Sequence, residues 1–114
     1  MQYLLMITDI PGEWDRVPPA EQARIMEGHQ ALGRALAAEG KRVESHRLRP
    51  VDEARTLRLL PGGDRTVVDG PFTEAKEVMG GFYVIDCASM DEALAWARRI
   101  PLVYGSIEVR PIWE

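Results

Sequence analysis

An α+β fold of ferredoxin-like type, β-α-β-β-α-β with an inserted hairpin, is what this sequence predicts. Three observations carry the expectation. Apolar runs of strand length stand near both ends of the chain. Two stretches repeat apolar residues at helical spacing, one closed by Gly40 and the other by Pro101. Between them, Pro61-Gly62-Gly63-Asp64 joins two short strand-like runs, which is a hairpin turn signal. At 114 residues the chain has the length of one domain, read here as 1–114, and enough mass for a core without staples.

Each element follows in turn. Residues 2–8 are apolar and of strand length, and Pro11-Gly12 breaks the run. Pro18 and Pro19 suit a first helical turn. Beyond them Ile25, His29, Leu32 and Leu36 share a helix face with Met26 beside it, and Gly40 is the expected C-cap. Gly28 and Gly33 weaken this helix relative to alanine, so close approach of helix and sheet is their expected role. Residues 42–48 read as a second strand, 56–60 and 65–69 as the hairpin, and 81–87 as a strand of β-branched and aromatic residues. Ser89 and Glu92 form a capping box for a second helix. Met90, Ala93, Leu94, Ala97 and Ile100 make its apolar face, and Arg98 and Arg99 sit in its expected last turn. Residues 106–112 form the final strand.

Two helices cover only one face of such a sheet. Residues 3–7 and 82–85 carry apolar side chains on both faces, so a homodimer is expected to cover the other. Trp14, Trp96 and Trp113 are expected in packing or at that interface.

Bulk properties exclude several functions. A hydrophobic fraction of 46% and a charged fraction of 28% are those of a globular chain. The net charge of −4, with arginines scattered among carboxylates, offers no face to a nucleic acid. Cys87 stands alone, so there is no internal disulfide, no recognisable metal site, and a reducing compartment fits. It reads as a small buried hydrophobe. No stretch has the length of a membrane span and no basic leader is visible, so a cytoplasmic location is expected. No phosphate-cradling or dinucleotide glycine pattern occurs, so no cofactor is expected.

One segment stands out. Asp69-Gly70-Pro71-Phe72-Thr73-Glu74-Ala75-Lys76-Glu77 is polar and turn-rich, yet carries a Phe. Glu74 and Lys76 put an acid and a base candidate within reach of one small ligand. Followed by Gly80-Gly81-Phe82-Tyr83-Val84-Ile85, this segment resembles the signature of the DGPF branch of the YCII-related family. Residues 91–97 (Asp-Glu-Ala-Leu-Ala-Trp-Ala) and 105–112 (Gly-Ser-Ile-Glu-Val-Arg-Pro-Ile) extend the resemblance over essentially the whole chain.

The resemblance implies a ferredoxin-like unit that dimerises into an α/β barrel. For the wider group it implies a His–Asp pair in a cleft, with one relative a dehydrochlorinase. For the branch it implies association with extracytoplasmic-function sigma factors. By position, His29 matches the histidine of the pattern, and Asp69 is its candidate partner. The carboxylate would fix the imidazole tautomer and raise its basicity toward a small acid, phenol or lactone. Phe72, Glu74 and Lys76 are the candidate substrate-binding residues.

Plainer readings compete. His29 lies on an apolar stripe and suits a packed core histidine. Asp69 suits a turn, Phe72 a plug beneath its loop, and Glu74, Lys76 and Glu77 a solvated charge run. His46, on a strand among Glu44, Ser45 and Arg47, suits solvent. Two functions follow: a cofactor-free acid–base enzyme, or a non-catalytic ligand-binding or regulatory module in a sigma-factor circuit; a third, a stress or oxygenase-like protein, rests on fold analogy alone.

Overall fold

The computed structural model describes residues 1–70 and 77–114. Its elements run β1 (Gln2–Asp9), α1 (Pro19–Ala38), β2 (Arg42–Arg47), β3 (Arg55–Leu59), β4 (Arg65–Asp69), β5 (Val78–Asp86), α2 (Met90–Ala97) and β6 (Ile107–Pro111). Short 3₁₀ turns at Trp14–Arg16 and Val51–Glu53 complete the order. One sheet has the strand order β2-β5-β1-β6 with antiparallel neighbours throughout, and β3 and β4 pair apart from it. Two helices with antiparallel sheets are compatible with the expected ferredoxin-like class.

The helix ends form as their residues dictate. Gly40 takes φ +68° past the end of α1. Lys41 N–H then donates to the Leu36 carbonyl at 2.9 Å and Gly40 N–H to that of Ala37 at 3.0 Å, a Schellman closure. At α2, the Ser89 hydroxyl accepts from Glu92 N–H at 3.2 Å. The Glu92 carboxylate reaches back to Ala88 N–H at 2.6 Å, one residue before the cap, and also meets Lys41 Nζ at 2.6 Å. The N-terminus of α2 is thus tied to the chain entering β2.

Alternation sets the layers. Tyr3 and Leu5 of β1 and Tyr83 and Ile85 of β5 are buried with Leu32, Leu36, Ala93 and Trp96 of the helices. The helices therefore lie on one face. Leu4 pairs with Val84 and Met6 with Phe82 on the opposite face, where these side chains stay half-buried. Cys87 is buried, as its strand-end position suggested.

Several boundaries and roles differ from the sequence reading. β5 begins at Val78, ahead of the Gly80-Gly81 pair: Gly81 pairs with Ile7, the register shifts at Gly80, and pairing resumes at Met79. A Cβ at Gly81 would lie 2.8 Å from the His46 carbonyl oxygen, so only glycine lets β2 come this close. The helix α2 ends at Ala97, so Arg98 and Arg99 lie past its last turn. Arg99 instead stacks over Trp96, 4.6 Å from the ring centroid. Gly28 faces Pro101 rather than the sheet, with a Cβ position 2.6 Å from the proline Cγ. Of the tryptophans, Trp96 is buried, Trp14 half-buried, and Trp113 is 99% exposed on this chain.

Candidate functional site

The apolar stripe of α1 divides along its length. Leu32 and Leu36 sink into the core, whereas Ile25, Met26 and His29 stay half-buried and line a cleft of about 480 Å³. The opposite wall is the helix-facing side of β2. Ser45 and Arg47 pair with Tyr83 and Gly81, so by register they share the face that elsewhere forms the core. Apolar residues would seal that space, but Arg42, Ser45 and Arg47 leave it open and polar. The end of β1 (Ile7, Thr8, Asp9) and the loop 101–104 close the far side.

His29 is the centre of the site. Its Nδ1 and the Tyr83 hydroxyl share a hydrogen bond of 2.7 Å, whose donor depends on the imidazole tautomer. The two rings lie nearly parallel, at 14°, with centroids 6.0 Å apart. Burial, and then the Arg47 guanidinium, hold the imidazole below its ordinary pKa of 6.5. It is therefore neutral near pH 7. Burial raises the Tyr83 phenol, so that group keeps its proton as well.

Across the cleft, burial and a hydrogen bond to Asp9 push the Tyr104 hydroxyl up to about 12. Asp9 also accepts the Ile10 N–H at 2.8 Å. The Arg47 guanidinium stands over the Trp14 ring at 5.2 Å. His46, exposed as expected, bonds Glu44 Oε1 through Nε2 at 2.9 Å, with its ring tilted against Phe82.

The other candidates fall elsewhere. Asp69 ends β4, opposite Arg55 of β3, and its carboxylate meets Arg55 Nε at 3.1 Å. Its side chain is 88% exposed and does not line the cleft. The physical reason is the hairpin, which carries Asp69 on a strand pair separate from the main sheet. Phe72, Glu74 and Lys76 lie outside the described residues. Glu77 is exposed and accepts from the Ser106 hydroxyl at 3.4 Å.

Tyr83, Arg47 and Tyr104 were not singled out from the sequence as site residues, and Trp14 was expected only in packing or at an interface. A signal existed in β2, where Arg-Val-Glu-Ser-His-Arg holds one apolar residue in six although one face lies beneath a helix. No group of His, Cys, Asp and Glu able to hold a metal occurs among the described residues. Among those residues, no helix is long and apolar enough to cross a membrane.

Fold and site together define an α+β protein with an arginine-lined cleft, built around a histidine held against a buried tyrosine. The chain belongs to the family of the YCII-related domain, whose model matches residues 1–114. It is also 45% identical over 95 residues to an uncharacterised protein of Rhizobium meliloti (strain 1021), spanning 81% of this chain and 76% of that protein.

Proposed function

We propose that this chain is a cofactor-free enzyme that moves a proton on a small molecule held in the cleft, with His29 as the base. The observation that carries the reading is the 2.7 Å bond between His29 Nδ1 and the Tyr83 hydroxyl at the wall of an open cleft. When Nδ1–H donates to the tyrosine oxygen, the Nε2 lone pair is free for substrate. The imidazole is already neutral, and Tyr83 takes the orienting role that the sequence offered to Asp69. In the reaction Nε2 accepts a proton from an acidic C–H or O–H, the electron pair stays on the substrate, and the imidazolium returns the proton at a second atom. This balances without any further reactant.

The segment 69–77 supports placing the chain in the DGPF branch, with Phe72, Glu74 and Lys76 as substrate contacts. We also propose a homodimer, supported by the half-buried sheet face of Leu4, Met6, Phe82 and Val84 and by exposed hairpin side chains. In the competing reading the same cleft holds a ligand without turnover.

Solvent deuterium exchange separates these readings. Phenylpyruvate and phenylacetone, one charged and one neutral C–H acid, are followed by proton NMR in D₂O with the wild-type protein and with His29→Gln. The proposal expects protein-catalysed exchange into at least one of them, lost in the variant while its circular dichroism stays native. Equal exchange by both proteins, or none by the wild type, contradicts it.

A further inference from the structure

We infer that the cleft is built for a small organic anion, a carboxylate on an apolar body, and that Arg47 is the residue that holds the carboxylate. The inference rests on the reading of the cleft as the working site and specifies its ligand. The chain as a whole carries −4, yet the cleft gathers Arg34, Arg42 and Arg47 against one carboxylate, Asp9. Asp9 is already engaged by Ile10 N–H and by Tyr104. None of the three guanidiniums meets a carboxylate among the described residues. Arg42 donates to Ser45 Oγ at 2.9 Å, and Arg47 stacks on Trp14.

Outside the cleft several arginines do find carboxylates, as in Arg24–Glu21 at 3.3 Å, Arg49–Glu53 at 2.8 Å and Arg55–Asp69 at 3.1 Å. Unpaired positive charge gathered in a concave, partly apolar wall attracts anions and focuses their approach.

The Trp14 ring backs the Arg47 guanidinium at 5.2 Å, and no hydrogen bond or ion pair among the described residues engages its N–H groups, which suits them to a carboxylate that takes two parallel bonds. Arg47 follows His46 at the end of β2 and faces the side on which Tyr83 holds His29. Its charge is felt at His29 on one side and at Tyr104 on the other, as expected of a group directed into the space between them. Ile25 and Met26 of α1, with Leu102 and Val103 of the loop, give an apolar bed for the body of the ligand. Leu102 and Val103 are 42% and 51% exposed, consistent with a rim that a ligand would cover.

The test uses 3-phenylpropanoate and its uncharged counterpart 3-phenylpropanamide as probes. Binding is measured by isothermal titration to the full chain and to Arg47→Gln, Arg47→Lys, Arg24→Gln and His29→Gln. The acid should bind about tenfold or more tightly than the amide, the scale of a charge-assisted bidentate pair. Arg47→Gln should erase that preference, Arg47→Lys should keep part of it, and Arg24→Gln should leave it intact. Equal binding of acid and amide, no binding of the acid, or an unchanged preference in Arg47→Gln overturns the inference. His29→Gln keeps the fates of the two readings apart. If that variant binds the acid like the wild type while exchange into both carbonyl probes is absent throughout, the ligand class stands and the proton-transfer reading falls. If exchange into phenylacetone is lost in His29→Gln but the acid does not bind the wild type, the reverse holds.

Discussion

The β1–β5 ladder and the β3–β4 hairpin are both antiparallel pairs that carry apolar residues, and they end in opposite surroundings. Leu5 and Ile85 are 0% exposed, whereas Leu57, Leu59 and Val67 are 60%, 72% and 62% exposed. The main sheet has two helices laid on one face. Among the described residues the hairpin has no such layer, and a lone two-stranded sheet is marginal in water. Shape records the difference. The radius of gyration is 16.1 Å and the extents are 48 × 40 × 18 Å, against about 13 Å expected of a compact chain of this length. Alternation therefore specifies a strand and its two faces, while burial depends on what the topology places over them.

The largest expected effect is at the centre of the sheet. Leu5→Ala should cost about 2–5 kcal/mol, and Leu59→Ala close to nothing in a single chain, both read by urea unfolding. A large loss from Leu59→Ala that grows with protein concentration would show the hairpin covered by a second copy. It would also support the proposed dimer, which light scattering checks directly.

Gly28→Ala comes next. The new methyl would meet the Pro101 ring at 2.6 Å, and overpacking of this kind costs about 1–3 kcal/mol. The higher helix propensity of alanine returns up to about 1 kcal/mol, so a net loss is expected in urea unfolding. A stabilised variant would mean that the loop 101–104 shifts freely and that the cleft's far wall is soft. Ser89→Ala should cost about 1 kcal/mol by removing the cap of α2, again checked by unfolding.

The smallest effect is a pH dependence. Folding lowers the His29 pKa, so the unfolded chain binds the extra proton first as pH falls through 6.5. This group's contribution is present above that value and is lost toward its folded pKa. Stability should therefore rise with pH across that window, and less so in His29→Gln.

Much of this architecture was legible in the sequence, and the reasons are local. Pro19, Gly40, the Ser89–Glu92 pair and Pro61-Gly62-Gly63-Asp64 act through their own backbone chemistry, so they mark helix ends and the turn without tertiary knowledge. His29 was visible as a polar residue on an apolar stripe. Its partner was not, because Tyr83 reads as an ordinary strand aromatic until the sheet register sets it beneath α1. The same register brings Arg47 into the cleft. Asp69 shows the converse case. A motif gave it prominence, and the hairpin carries it to Arg55.

The state of the His29 ring tests the account most directly. Long-range proton–nitrogen NMR of labelled protein, titrated from pH 8 to pH 4, reads both its tautomer and its pKa. The account predicts a neutral ring protonated at Nδ1, a pKa below 6.5, and a changed tautomer ratio in Tyr83→Phe. A ring protonated at Nε2 with a pKa at or above 6.5, indifferent to Tyr83→Phe, would contradict it.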